Sequence, residues 1–498
     1  MGLVRPEFFG LFAGYLVLVL AAGLAFSRRM KSHEDFFLAS RRLPAGLVYV
    51  SLTSAWFGAT SILVSADEAL RTGLSALWIV GLPAVATVIL LAVFFVRPLH
   101  RLSVMTWSEL VELRYGRLTR HLTSALLVWY MAVLAASQMV ALGSFLKAFL
   151  GLSYGGSLAV GTAVVLVYSA FGGLRSVVFT DLLQFGLLAA GVAALLALAA
   201  GRASWGDVVS AAAATGRTGF LRPFHHFGES ALIFFSFTLA WTISPIALQR
   251  IQAARSVGAA RRGLVATAAT LFILYGFVIL AGMLSLPAYR AAPPAHPLVA
   301  EIAAGGTAFA VGGLVFVAVL AAILSTMDTA VNAGALVLAR DIFEKAVPRS
   351  RRRPVAWSRI ATLAVGLAAL TVALRFQSVL KTLGLSSEIM AEGFFVPGAA
   401  MIFMRQPRPL AGLLGLGMGG GFAVLSFMGA MGVLPLGLPS WPRSVPYGVA
   451  SSLAGFFIGW RLERNRETHQ KYGDKKYGDT SLISTNRRHS ALIPPRDK

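Results

Sequence analysis

Long apolar stretches separated by short polar ones recur along almost the whole chain. About twenty apolar residues suffice for one helical crossing of a bilayer, and a lipid-exposed segment satisfies its backbone hydrogen bonds only as a helix or in a closed barrel. The pattern therefore predicts an all-α polytopic membrane protein with thirteen spans. They fall near residues 7–27, 45–70, 74–95, 122–150, 156–172, 177–200, 229–248, 263–289, 307–339, 358–375, 379–404, 409–434 and 445–461.

Two of these spans have interrupted patterns. The second, "LVYVSLTSAWFGATSILVSADEALRTG", mixes small and polar residues, and the seventh carries Ser244-Pro245 in its middle. Proline removes a backbone donor, and irregular backbone at membrane depth is tolerated only where it lines a cavity. Interrupted helices at matching positions of two halves point to a transporter site, which predicts inverted repeats of spans 2–6 and 7–11. A simple kink at Pro245 in a packed helix is the alternative.

The charged residues predict an orientation. Only 13% of the 498 residues are charged, the formal net charge is +23, and 34 of the 44 Lys and Arg fall on one side of the predicted topology. Because basic loops stay in the cytoplasm, we expect the N-terminus outside and the C-terminus inside, in the cell's inner (plasma) membrane. The clusters "SRRMK" and "RSRRRP" are then topology determinants, with contact to anionic lipids as a lesser option, rather than nucleic-acid contacts. The first span, followed by "SRRMK", is expected to be retained rather than cleaved as a signal peptide.

The remaining composition limits the other functions. We expect one transmembrane transporter domain over residues 1–461 and a disordered cytoplasmic tail over 462–498, which has no apolar face. There is no cysteine, and neither a Ser-His-Asp arrangement nor an H-E-x-x-H motif is present. The motif "GLGMGG" follows no strand, which argues against a nucleotide loop. The chain is not expected to be an enzyme or to need an obligatory protein partner.

A polar cluster interrupts the ninth span about fifteen residues into the membrane. It contains Ser325, Thr326, Asp328 and Thr329, although a lone carboxylate there costs roughly 2.5–3.5 kcal/mol on insertion scales. Ala322 shares a helix face with Ser325 and Thr326, at spacings of three and four residues. The cluster therefore indicates a function, unless the hydroxyls merely bond back to carbonyls of their own helix.

Four ordered motifs resemble those of the sodium:solute symporter family. They are the second span with its lead-in "FFLASRRLP", "YSAFGGLRSVVFTDLLQF" at 168–185, "SPIALQRIQAARSVGAARRG" at 244–263, and "AAILSTMDTAVNAGALVLARDIFE" from Ala321. The resemblance covers roughly residues 35–460. It implies the LeuT-type fold of inverted five-helix repeats and Na⁺ as the coupling ion.

The resemblance also implies a sodium site between the broken second span and the ninth span. In the family, backbone carbonyls of both spans and two hydroxyls bind this ion. The matching residues here are Ser54, Phe57, Ala322, Ser325 and Thr326.

Some members of the family bind a second sodium ion with the aspartate of the Thr-Asp motif, which here is Asp181. This chain departs from the pattern, because Asp328 stands where those members have a serine. Two carboxylates at one site would share a proton or a cation. A second cation site of Asp181, Asp328 and Thr329 is therefore a hypothesis. The alternative is that Asp181 orders the neighbouring loop and that Asp328 bonds to a backbone amide.

The solute is expected to bind between the two broken spans. The resemblance to proline and sugar carriers does not extend to their polar anchors, whose positions hold Trp56, Leu77 and Ser61. Two indoles favour a small, partly apolar solute such as an organic acid or an amino acid, with a possible cation–π contact. Candidate contacts are Trp56, Thr60, Trp241, Thr242, Ser244 and Glu388. Glu388 and Glu392 lie in span eleven. They are expected either to contact the solute or a gate, or to line a water-filled outer vestibule.

These observations predict a sodium-coupled secondary active symporter that imports a small organic solute by alternating access. Proton coupling through Asp181 and Asp328 is one alternative. A membrane solute sensor of the same fold is another, although the tail has no kinase-like motif. A passive channel fits the two interruptions less well.

Overall fold

The chain folds into a helical bundle, which a computed structural model describes over residues 7–25, 32–102, 104–305, 308–404, 406 and 408–476. The cluster "SRRMK" and residues 477–498 lie outside these ranges. Within the described residues there is no β-strand, only an isolated bridge between Leu43 and Ala254. Nine helices of this part are long and apolar enough to cross a membrane. The expected all-α class is confirmed.

Fifteen helices form most of the bundle. They are α1 (Glu7–Ala25), α2 (Ala45–Trp56), α3 (Ser65–Thr72), α4 (Gly81–Leu90), α5 (Arg117–Leu150), α6 (Tyr154–Ala200), α7 (Phe227–Thr242), α8 (Pro245–Ala253), α9 (Val257–Leu284), α10 (Phe309–Val337), α11 (Pro354–Ala373), α12 (Val379–Glu388), α13 (Phe395–Phe403), α14 (Pro409–Ala430) and α15 (Val445–Lys476). Shorter helices form the connections: His33–Leu38, Val96–Arg101, Trp107–Tyr115, Trp205–Ala214 and Leu298–Ala304.

The second span is interrupted between α2 and α3, as its sequence predicts. Helix α2 ends at Trp56, and a π-helical turn over Thr60–Val64 leads into α3. The amide of Ala59 donates to Gln138 Oε1 at 3.0 Å, whereas in a continuous helix it would donate to the carbonyl of Ala55. The break is therefore stabilised by a side chain from α5.

The seventh span is divided at Ser244. Helix α7 ends at Thr242, and Pro245 is the first residue of α8, where its missing N–H costs nothing. The Ser244 side chain accepts a hydrogen bond from the amide of Ile246 and so caps the new helix. Pro245 thus begins a second helix rather than kinking a continuous one.

The fifth and sixth spans form α6, which turns sharply at Gly173. This glycine has φ +54° and ψ −158°, a conformation that residues with a Cβ rarely adopt. A Cβ on Gly23 of α1 would lie 2.7 Å from Tyr168 Cβ and 3.0 Å from Ser176 Oγ. In a straight helix Tyr168 and Ser176 would be about 12 Å apart along the axis, so α6 folds back at Gly173.

Helix α10 lies at the centre of the bundle. It packs against α5 and both halves of α6, and from Val315 onward nearly every side chain is buried. Helices farther out expose large apolar side chains, such as Phe272 at 58%, Leu367 at 56% and Phe457 at 54%. An outer apolar surface around a buried polar centre is the arrangement expected of a membrane transporter.

Two features differ from the expected pattern. Span eleven contains a π-helical turn over Ile389–Phe394, between α12 and α13, which the hydropathy pattern did not reveal. Helix α15 continues to Lys476, so the first part of the expected tail is helical.

Candidate functional site

The break in the second span faces the middle of α10. A Cβ added to Gly58 would lie 2.5 Å from Thr326 Oγ1, so only a glycine allows this approach. Because α2 ends at Trp56, the carbonyls of its last turn, including that of Ser54, lie beyond the regular helical hydrogen-bond ladder. Phe57 has φ −95° and ψ 67° and also lies outside the helix. The break therefore places polar backbone beside Thr326.

The hydroxyls of Ser325 and Thr326 differ in their partners. Ser325 Oγ donates to Asp181 Oδ1 at 2.6 Å, whereas the buried Thr326 Oγ1 has no hydrogen-bond partner. Neither hydroxyl bonds to a carbonyl of its own helix, which removes the alternative interpretation of this pair. An orphaned hydroxyl next to helix-end carbonyls is a set of oxygens that suits a hard monovalent cation. Ala322 lies one turn earlier on α10 and is fully buried.

Asp181 joins three helices through one buried carboxylate. Ser51 of α2 donates to its Oδ2 at 2.6 Å, and Ser325 of α10 donates to its Oδ1. Ser54 Oγ also donates to the main-chain oxygen of Asp181 at 3.3 Å. The aspartate is therefore connected to the Ser325 hydroxyl and to the end of α2 at the same time.

Arg250 completes this cluster and corrects one assignment made from the sequence. The hydropathy pattern places Arg250 in the cytoplasmic loop at 249–262, but the structure buries it fully within α8. Its Nη2 lies 3.8 Å from Asp181 Oδ2 and donates to Thr329 Oγ1 at 2.9 Å, and its Nε donates to Ser51 Oγ at 3.2 Å. The guanidinium is held at depth because buried acidic and hydroxyl groups compensate it.

Asp328 is the second carboxylate of the cluster. Its Oδ2 accepts a hydrogen bond from Tyr168 OH at 2.5 Å, but its Oδ1 is buried without a partner. Asp181, Asp328 and Arg250 together carry a formal charge of −1 when both acids are ionised. An uncompensated charge is costly at this depth, so ionisation of both acids is unfavourable unless a further positive charge is bound.

A small cavity lies between the two broken spans. Its free volume of about 30 Å³ is enough for roughly one water molecule. It is lined by Ala55, Trp56, Gly58, Thr60, Ser61, Val80, Tyr130, Leu134, Gln138, Trp241, Ile246, Thr326 and Leu383. A solute binds only if these walls move apart.

Three of the six expected solute contacts line this cavity, namely Trp56, Thr60 and Trp241. The other three make contacts elsewhere. Thr242 Oγ1 donates to Thr238 O at 2.7 Å, and Ser244 caps α8. Ser426 of α14 donates to Glu388 at 2.5 Å, on the far side of span eleven from the cavity.

Several residues of the site did not stand out in the sequence. Gln138 lines the cavity and fixes the break, and Tyr168 binds Asp328. Both are polar side chains within mainly apolar spans, which was a usable signal. Arg250 follows Pro245 by five residues, and only recognising that a new helix starts at this proline would have placed it in the membrane.

The chain is similar to known proteins in both sequence and structure. A model of the sodium:solute symporter family matches residues 36–404. The chain is 27% identical to the human sodium/iodide cotransporter, over 82% of this chain and 69% of that protein. It is 23% identical to the mouse sodium-coupled monocarboxylate transporter 1, over 89% and 73% of the two chains.

The fold is similar to that of a solved Na⁺-coupled sialic acid symporter in a substrate-bound outward-open state. The TM-score is 0.75 at 18% identity, over 91% of this chain and 97% of the other. The nucleobase-cation symporter Mhp1 in a closed conformation gives a TM-score of 0.52 at 17% identity, over 87% and 95%. Both likenesses agree with the expected LeuT-type architecture. With the family match covering most of the chain, this protein belongs to the sodium:solute symporter family and is a sodium-coupled multi-pass membrane symporter.

Proposed function

We propose that this symporter imports a small organic acid together with Na⁺ across the plasma membrane, with its N-terminus outside. The observation that carries the proposal is the position of Thr326. Its hydroxyl has no hydrogen-bond partner, lies against the break at Gly58, and also lines the cavity between the broken spans. One residue therefore belongs both to the proposed ion site and to the proposed solute site.

The proposed sodium ligands are the carbonyls of Ser54, Phe57 and Ala322 and the hydroxyls of Ser325 and Thr326. Carbonyls at helix ends and neutral hydroxyls provide oxygen without adding net charge. Helix α2 contributes from one side and α10 from the other, so a bound ion links the two helices. That link favours the conformation in which α2 and α10 both contact the ion, and so couples ion binding to solute binding.

A carboxylate solute fits the cavity better than a neutral sugar. None of the residues that line the cavity carries a charge, and two indoles make much of the wall apolar. A sodium ion at Thr326 would supply the positive charge that a carboxylate group needs. The name of the mouse relative refers to monocarboxylates, which supports the same class.

The second proposed cation site consists of Asp181, Asp328 and Thr329, with Arg250 as a fixed internal cation. Arg250 neutralises one of the two carboxylates and leaves the other for one mobile cation. The unpartnered Oδ1 of Asp328 is the free acceptor. A proton at this position is the alternative to Na⁺ and corresponds to a proton-coupled symporter.

Uptake into proteoliposomes tests the proposal directly. Labelled acetate, propionate and lactate are compared with glucose and alanine, under an inward gradient of Na⁺ or of choline at equal ionic strength. We expect a short monocarboxylate to accumulate only with Na⁺, and the Thr326→Ala variant to lose this accumulation. Accumulation driven by a proton gradient without Na⁺ would establish the rival coupling, and sodium-driven uptake of glucose alone would contradict the solute class.

A further inference from the structure

A second pair of buried carboxylates lies in span eleven, away from the proposed sodium site. Glu388 ends α12, and Glu392 follows one turn later in the π-helical segment Ile389–Phe394. Both residues are fully buried. Starting from Val379, they lie about 14 Å and about 20 Å along the helix axis, which is well inside a bilayer.

This pair faces away from the solute cavity. Leu383 of α12 lines the cavity, and Glu388 follows it by five residues, about 140° further around the helix. Glu388 instead contacts Ser426 of α14, and Glu392 contacts the start of α15, where a Cβ on Gly448 would overlap Glu392 Oε2 at 2.1 Å. The carboxylates therefore lie between spans eleven, twelve and thirteen.

Most of the oxygen atoms in this cluster have no partner. Glu388 Oε2, both carboxylate oxygens of Glu392 and the hydroxyl of Ser444 are buried without a hydrogen bond of good geometry. Ser444 is fully buried and its hydroxyl lies within reach of both carboxyl groups. Two acids and an orphaned hydroxyl converge on one point, where leaving every oxygen unsatisfied would be costly.

The hydrogen bonds of Ser426 indicate a positive charge at this point. Its single hydroxyl lies 2.5 Å from Glu388 Oε1 and 3.0 Å from the carbonyl of Pro439, which only accepts. The one hydroxyl proton is shared between these two acceptors unless Glu388 is protonated and donates to Ser426 Oγ, which leaves Ser426 free to donate to Pro439. The geometry thus favours at least one neutralised carboxyl group.

No fixed cation in the described part of the chain balances the pair. Helix α14, which packs on the π-helical segment, contains no charged residue. On α15 the first charged residue is Arg461, thirteen positions after Gly448. Arg443, next to Ser444, is exposed to the outside of the bundle. This contrasts with Asp181, which has Arg250 beside it.

We infer that Glu388, Glu392 and Ser444 form a binding site for one small monovalent cation, a proton or Na⁺, separate from the site at Thr326. The occupant neutralises one carboxylate and takes the free oxygens that face Ser444. The occupant lowers the buried net charge between spans eleven, twelve and thirteen from −2 to −1, which the two carboxyl groups share. The site depends on no part of the proposed sodium or solute sites.

Infrared difference spectroscopy of the purified full chain tests this inference, because a protonated buried carboxyl group has its own carbonyl band. The buffer is exchanged between low and high pH in choline chloride, and then between choline and Na⁺ at fixed high pH. All measurements use the Ser325→Ala/Thr326→Ala background, so that the proposed sodium site makes no contribution. The variants are Glu388→Gln, Glu392→Gln and Ser444→Ala, with Ser452→Ala as the control, since Ser452 lies two turns later on α15 and bonds to Gly415 O instead.

We expect a carboxyl band that is lost in at least one glutamine variant, shifted in Ser444→Ala and unchanged in Ser452→Ala. A band that responds to pH alone identifies the occupant as a proton, and one that also disappears with Na⁺ identifies it as sodium. Spectra that respond identically in the background and in both glutamine variants would overturn the inference. Because the background already lacks Ser325 and Thr326 hydroxyls, such a failure leaves the proposed coupling at Thr326 untouched.

Discussion

At the scale of single residues, the buried centre of this protein is defined by acidic and basic side chains that partly neutralise one another. Asp181 and Arg250 both contact the Ser51 hydroxyl, Arg250 also donates to Thr329, and Asp328 accepts from Tyr168, all at full burial. Removing one partner of a buried ion pair typically costs 3–5 kcal/mol, because the other charge is left uncompensated. The cluster is therefore the part of the molecule most sensitive to single substitutions.

Arg250→Met is expected to destabilise the fold by about 3–5 kcal/mol, since Asp181 would lose its fixed counter-charge. Melting temperature in detergent measures the effect. Arg255→Met, which removes an exposed arginine five residues later, is the matched control and should change little. Equal melting temperatures for the two variants would contradict the central role of Arg250.

Asp328→Asn should remove the mobile cation of the second site, because Asp181 and Arg250 then balance each other. The number of cations transported per solute, measured from reversal potentials in proteoliposomes, should fall by one. Asp328→Ser, which restores the residue expected from the family pattern, tests whether a hydroxyl accepts Na⁺ there. An unchanged ion number and affinity in Asp328→Ala would exclude the second site.

At the scale of elements, broken helices create the site. The sequence predicted both breaks, because proline and clustered small polar residues are legible signals at membrane depth. It did not predict the π-helical turn in span eleven, or that Arg250 belongs to a membrane-buried helix, because hydropathy ends a span at the first charge. The sequence also did not predict which way Glu388 points, because packing decides which face of a helix meets its neighbour.

Gly58→Ala is expected to abolish the sodium response while the chain still folds. The new Cβ would overlap Thr326 Oγ1 at 2.5 Å and Gln138 Oε1 at 2.8 Å, which pushes α2 away from α10. Gly46→Ala lies in α2, earlier in the same span, and its new Cβ meets no atom within 4 Å, so it is the matched control. The sodium-dependent rise in melting temperature is measured for both variants. A normal response in Gly58→Ala would show that close approach at the break is not needed.

At the scale of the whole molecule, the distribution of basic residues defines the proposed orientation. Placing Arg250 within the membrane removes one residue from the cytoplasmic count and leaves the bias intact. The natural absence of cysteine makes the orientation easy to test, because each introduced thiol is unique. Ala292 and Arg352 are both exposed and lie on opposite predicted sides.

In intact cells, a membrane-impermeant maleimide should label Ala292→Cys and not Arg352→Cys, because basic loops remain in the cytoplasm. Permeabilised cells should label both, which controls for reactivity. The reverse pattern in intact cells would invert the proposed topology and place the N-terminus inside.

The central claim is that a sodium ion bound at Thr326 connects α10 to the broken second span. The measurement that tests it most directly is the melting temperature of the purified protein in NaCl and in choline chloride at equal ionic strength. We predict a saturable, sodium-specific rise that disappears in Ser325→Ala/Thr326→Ala, because a ligand that binds only the folded state stabilises it. The same rise in both proteins, or none in the wild type, would contradict the claim.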